Sequence, residues 1–184
     1  DTLPSRGLGD VYKRQGAGLF VLITAFANIS GAHLNPFVSL SMYLTKRIKG
    51  KELLTFIPAQ ILGCLLGVML ANVFFEHSII ELSTKNRDGF HIFLSEIVAT
   101  FGLIFIIFAT LKDGKTTVAA CVATYISAGY WFTSSTSFAN PAVAIARTFT
   151  DSFTGINYLN TPTYIFAELL GAIVAIYIIK RLIK

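Results

Sequence analysis

The stretch Ser30-Gly31-Ala32-His33-Leu34-Asn35-Pro36-Phe37-Val38, with its echo Ser134-Ser135-Thr136-Ser137-Phe138-Ala139-Asn140-Pro141-Ala142-Val143, decides how this chain folds. Proline has no amide donor and a preset φ, so it suits the first turn of a helix, and asparagine is a favoured cap just before it. Each Asn-Pro therefore reads as a helix start. The apolar stretches they open, 35–44 and 140–149, reach about half-way across a bilayer at ~1.5 Å of rise per residue.

Outward from these two starts the chain is written for lipid. Of its 184 residues 54% are hydrophobic and 14% charged, against about 25% charged in soluble domains, and the mean hydropathy is +0.66. That balance argues against a single aqueous core. Runs 53–75, 90–111, 116–132 and 163–179 lie near the ~20 residues that span hydrocarbon, whereas 16–29 is too short alone. Cys64 and Cys121 sit inside apolar runs without ligand spacing, which argues for small core residues and against a disulfide scaffold or zinc site.

The net charge of +5 could suggest nucleic acid, but the basic residues gather at the ends of the runs. Lys46, Arg47, Lys49, Lys51, Lys112, Lys115, Lys180, Arg181 and Lys184 fall on one side if the runs alternate, facing Lys85, Arg87 and Arg147 on the other. Positive residues stay inside, so the first side, with the C-terminus, is expected in the cytoplasm of a cell whose inner membrane holds the protein.

The chain also repeats itself. Asn35-Pro36-Phe37-Val38 returns as Asn140-Pro141-Ala142-Val143, and Ala59-Gln60-Ile61-Leu62-Gly63 as Ala167-Glu168-Leu169-Leu170-Gly171, at offsets of 105 and 108 residues. An odd number of crossings separates the copies, so they are inverted. Two helix N-termini then converge near the midplane, where unpaired backbone survives only when buried in protein or lining a wet cavity. The second copy, 90–184, has a crossing carrying Glu96 and a further crossing before its motif; the first, 16–75, has room for only part of one. Its first helix is expected to be missing. Residues 1–15 read as a helix-poor, non-native assembly scar outside the membrane domain of 16–184, because Asp10, Lys13 and Arg14 cost at least ~2.5 kcal/mol each near a bilayer centre.

Ser-Gly-Ala-His-Leu-Asn-Pro at 30–36, Asn-Pro-Ala at 140–142, the Glu96-x-x-x-Thr100-Phe101 helix and the Gln60-x-x-Gly63 helix together resemble the aquaporin, or major intrinsic protein, family over 16–184. The phrase at 136–143 resembles bacterial members found with arsenic-resistance genes. The resemblance implies an all-α membrane protein, an aquaporin-like inverted repeat of transmembrane helices with two re-entrant Asn-Pro half-helices. It implies a passive single-file channel for water and small neutral solutes that excludes ions, without metal or cofactor, assembled as a homotetramer in lipid.

Residue by residue, the resemblance makes Asn35 and Asn140 the paired amides that donate to each passing oxygen, and Pro36 and Pro141 the locks of the half-helix starts. Ser137 and Ala142 flank the second start. Glu96 would accept loop amides beneath it, with Gln60 and Glu168 as structural partners. His33 either touches the cytoplasmic vestibule or packs. Three departures bear on the solute. Phe37 stands where alanine is usual and either narrows the pore or packs behind its half-helix. Val143 stands where an arginine usually forms the outer constriction, and Arg147, one turn on, is either a mouth charge or an interfacial anchor. The fifth-helix filter position falls at Ala128 or Gly129, small where water channels often carry histidine, and the fourth contributor at Gln15. Such a filter should pass glycerol or neutral trihydroxy arsenic.

Rival readings are an ion-coupled transporter built on Glu168 and a nonconducting membrane scaffold. An enzyme has no support, since no triad, carboxylate pair or phosphate loop appears, and His77 and His91 with Glu76, Glu81 and Asp88 read as a solvated loop.

Overall fold

The computed structural model describes residues 4–182. Among these the chain forms helices α1 (Pro4–Phe26), α2 (Pro36–Leu44), α3 (Gly50–Phe74), α4 (Phe90–Thr110), α5 (Lys115–Phe132), α6 (Pro141–Ala146) and α7 (Thr161–Leu182), with no strand. Each long apolar run has become one helix, ending within three residues of its sequence limits. By length and composition α3, α4 with its 3-10 extension to Asp113, and α7 can cross a membrane. Helix α5, at 18 residues, is about 27 Å long by its rise. The two Asn-Pro segments are short helices of 9 and 6 residues, the second prolonged by a 3-10 turn over Arg147–Phe149.

Residues 4–15 differ from expectation: they are helical and continuous with the apolar half of α1. The side chains of 1–11, Asp10 among them, lie outside the described residues, whereas Tyr12 and Gln15 bond to α5. Ser127 of α5 donates its hydroxyl to Tyr12 O at 3.3 Å, and Tyr130 donates to Gln15 Oε1. Gly16 permits this approach, because a Cβ there would collide with Ser127 Oγ. Residues 1–3 and Lys184 lie outside the described residues.

One long-helix pair lies within the second copy and another joins the two copies. In the second copy α4 lies along α7, and α1 of the first copy lies along α5. The α4–α7 contact is backbone-close at Gly171, where a Cβ would strike Ile97 O and stand 3.0 Å from Phe101 N. Its counterpart in α3, Gly63, has no atom within 4 Å. Helix α3 accordingly buries only Asn72, and Leu62, Leu66 and Leu70 face outward, a distribution that suits lipid and not water. The half-helices sit against α3 and α7, and the core between them gathers Ile23, Val38, Met42, Leu103, Ile104, Phe108, Val122 and Ile126.

One end of the bundle is capped by loop on loop. Ser83 N donates to Thr148 O at 3.0 Å and Asn157 N to Lys85 O at 2.8 Å, while Arg87 donates to Gly155 O and Phe153 O at 3.0 and 2.8 Å. Asp151 accepts from Thr84 N at 2.9 Å and from the hydroxyls of Ser83 and Thr84. At the other end Arg47, Glu52 and Lys115 border one hollow. Arg47 and Lys115 therefore share a hollow away from the loops that hold Lys85 and Arg87.

Candidate functional site

Asn35 and Asn140 have nearly the same backbone, φ −157° ψ 125° and φ −158° ψ 109°. Both are extended caps, so each side chain folds back on its own helix. Asn35 Oδ1 accepts from Phe37 N at 2.9 Å, and Asn140 Oδ1 from Ala142 N at 3.1 Å and Val143 N at 3.5 Å. The other half of each amide reaches into the opposite loop: Asn35 Nδ2 donates to Ala139 O at 2.7 Å, and Asn140 Nδ2 to Leu34 O at 2.9 Å. A primary amide has two donor hydrogens. Each asparagine thus spends one on the opposite loop and keeps one.

The loops that deliver these caps are bent against preference. Ala32, Leu34, Thr136, Ser137 and Ala139 all have positive φ, between 47° and 66°, at roughly 1–2 kcal/mol each for residues bearing a Cβ. Carboxyl groups hold the second loop: Glu96 accepts from Phe138 N at 2.9 Å and Ala139 N at 2.8 Å, and Glu168 from Asn140 N at 2.9 Å. Hydroxyl and amide groups brace the first. Ser39 Oγ lies 3.1 Å from His33 Nδ1 and accepts from Gln60 Nε2 at 2.9 Å.

A cavity of about 140 Å³ passes both asparagines. Its wall is apolar, with Leu19 and Ile23 from α1, Leu103 and Ile107 from α4, and Val118, Val122 and Ile126 from α5, besides Val38, Phe138 and Val143. Polar lining comes from Gln15, His33 and the two asparagines. A groove between α1 and α3, bordered by Leu22, Ala59, Gly63 and Cys64, also reaches Asn140 and Val143, so on this side the cavity wall is open between the helices.

Other expected site residues fall in different places. Pro36, Pro141 and Ala142 are buried at the helix starts. Phe37 is in the main core and is not among the residues that line the cavity. His33 does both things, lining the cavity and meeting Phe56 edge-on at 5.4 Å. Ser137 is buried against Gly129, where a Cβ would stand 2.6 Å from its own.

Ala128 and Gly129 do not form part of the wall. Ala128 is exposed and Gly129 packs on Ser137. The lining face of α5 advances in steps of four through Val118, Val122 and Ile126, which leads to Tyr130; residue 128 points away at ~100° per residue. Tyr130 bonds Gln15, which does line the cavity.

Arg147 is half-buried, its guanidinium 4.2 Å from the Phe138 ring centre, and its Nη1 has no protein partner. Arg87 approaches the same ring at 6.0 Å; sequence reasoning had noted it only as an outer-side charge.

Two inverted half-helices meeting through cross-tied caps, beside a narrow apolar cavity in a bundle of membrane-length helices, define a membrane channel of the inverted-repeat class. The model of the family described as major intrinsic protein matches residues 6–133. Among curated relatives, aquaglyceroporin AqpS of Rhizobium meliloti (strain 1021) is 43% identical over 169 residues, covering 92% of this chain and 72% of that protein. Aquaporin-4 of Bos taurus is 28% identical over 169 residues, covering 87% of this chain and 52% of that protein. Probable aquaporin TIP2-2 of Oryza sativa subsp. japonica is 33% identical over 113 residues, covering 61% and 46%. The chain thus spans about half the length of aquaporin-4 and nearly three quarters of AqpS. It belongs to the major intrinsic protein family and is a channel protein of the membrane.

Proposed function

We propose that this protein passes water and small neutral solutes, glycerol and trihydroxy arsenic among them, passively and in single file. The observation that carries the reading is the spare N–H of each cross-tied asparagine beside an apolar wall. A solute entering there loses water on every side but finds two donors, placed by two helix N-termini whose positive ends disfavour cations. Water bound at those donors turns its hydrogens outward in both directions, which interrupts a proton wire.

The solute range is argued from Val143. Without a guanidinium at that position the wall near the second motif is smooth and apolar, which admits a carbon backbone or an arsenic centre. Arg147 supplies the nearby positive charge: helical side chains lean toward the N-terminus, and its guanidinium lies on Phe138, a wall residue. The name of AqpS supports glycerol, and the phrase at 136–143 supports the arsenic species. The outward apolar faces of α3 and α7 support a homotetramer in an inner membrane, and the basic ends support a cytoplasmic C-terminus. Glu168, on which a coupled transporter would depend, is engaged by the Asn140 amide.

Stopped-flow light scattering on proteoliposomes tests this. Water, glycerol and arsenite are expected to enter at rates indifferent to an ion gradient. Water entry alone rejects the wide filter, and no entry above empty vesicles rejects the channel.

A further inference from the structure

Three successive amides beneath the second motif, those of Phe138, Ala139 and Asn140, end on two carboxyl groups, Glu96 and Glu168. Both glutamates are wholly buried. Glu168 is one turn before Gly171 on α7, and Glu96 one turn before Thr100 on α4. Gly171 lets α7 approach the backbone of α4, where a Cβ would strike Ile97 O and stand 3.0 Å from Phe101 N, and two consecutive amides, Ala139 N and Asn140 N, end on Glu96 Oε2 and Glu168 Oε1 at 2.8 and 2.9 Å, so the two carboxyl groups are neighbours. Glu168 Oε1 takes the Asn140 amide, and Glu168 Oε2 is buried with no donor directed at it.

A carboxyl–carboxyl hydrogen bond needs a proton, since two carboxylates offer only acceptors. Both amides on Glu96 point at a group that accepts through both oxygens, which is the carboxylate form. Glu168 has one oxygen accepting and one without a donor, the pattern of a carboxylic acid whose O–H is itself the donor. The guanidiniums of Arg147 and Arg87 lie 4.2 and 6.0 Å from the ring centre of Phe138, whose amide bonds Glu96, and the Tyr125 hydroxyl donates to Val98 O. The inverted copy points the same way. The position equivalent to Glu168 is Gln60, a neutral side chain with one donor end and one acceptor end, whose amide donates to Ser39.

We infer that Glu168 is a positioning residue that works as a neutral acid, donating its proton to Glu96 and accepting the Asn140 amide, so that one buried proton fixes the second asparagine. The positioning role rests on the channel reading; the proton itself does not.

Infrared spectroscopy of the protein in lipid near neutral pH reads that proton. The carbonyl stretch of a protonated carboxylic acid is expected in the wild type, shifted by isotopic labelling of glutamate and lost in Glu168→Gln. No such band in the wild type, or the band intact in Glu168→Gln, overturns the inference, and labelling assigns the band even if the variant does not assemble. Permeability reads the position. Glu168→Gln keeps a donor and an acceptor and should stay within about twofold of wild type in water permeability per assembled protein, whereas Glu168→Leu should lose about tenfold. Wild-type permeability in Glu168→Leu overturns the positioning role while leaving the channel reading intact.

Discussion

Asparagine at the head of each half-helix uses every part of one amide group. The carbonyl oxygen caps its own helix, one hydrogen ties the opposite loop, and the other hydrogen is left for the cavity. Aspartate would cap as well but has nothing to donate, which is why the side chain must be an amide. Three residues from Asn140, Val143 lines the cavity, and in the proposed function it sets the width of the opening. Val143→Arg puts a guanidinium onto the wall beside that of Arg147, adding bulk and charge together. Glycerol permeability in proteoliposomes is expected to fall about tenfold or more, equivalent to ~1.4 kcal/mol of barrier, with water reduced far less; equal losses for both solutes count against Val143 as the determinant. The asparagines and prolines are legible in the sequence because local capping chemistry places them, and Val143 stands out through the family resemblance. Ala128 and Gly129 show where that reading stops, because the facing direction of α5 depends on how the helix rotates against α1 and α4, and no local signal sets that angle.

At the scale of elements, the repeat has unequal copies. Gly171 and Gly63 occupy matching positions on α7 and α3, yet one is pressed on α4 and the other open. Gly171→Val should therefore force α4 and α7 apart, with an overpacking cost of about 1–3 kcal/mol and a melting temperature lowered by roughly 2–10 °C in detergent. Gly63→Ala meets nothing and gains helix propensity of up to ~1 kcal/mol, so its melting temperature should hold or rise. If both variants melt alike, the close α4–α7 approach is not an important contribution. The lengths and ends of α3, α4, α5 and α7 are readable from apolar runs, since a membrane helix must satisfy its backbone within one continuous apolar segment. The helicity of residues 4–15 is not, because it depends on hydroxyls of α5 that are more than a hundred residues away.

For the whole molecule, the two ends are built differently, and at the capped end the Asp151 carboxylate joins Arg87 and the backbone bonds between the loops. Asp151 lies outside the membrane-spanning helices, and hydrogen bonding from Thr84 N, aided by Lys85 and the hydroxyls of Ser83 and Thr84, holds its carboxyl below the usual range. A depressed folded-state value means the stabilisation is present above the unfolded value, 3.8, and is lost as pH falls through the folded one. Amide hydrogen exchange at 83–85 should accelerate on acidification toward that range in the wild type. In Asp151→Asn the same amides should exchange faster at neutral pH and lose that acid dependence; an unchanged profile counts against the Asp151 tie.

What the sequence determined by itself is the long helices α3, α4, α5 and α7, the doubled Asn-Pro caps and the inverted relation of the copies, because these follow from hydrophobic length, proline geometry and the parity of crossings, all local or countable along the chain. The tertiary structure alone decided that each asparagine amide crosses to the opposite loop, that Phe37 packs while Tyr130 reaches Gln15, that Arg147 lies on Phe138, and that Glu96 and Glu168 take consecutive amides of one loop. Apart from the Arg147–Phe138 pair, these depend on contacts between residues far apart in the chain, set by the rotation and approach of whole helices.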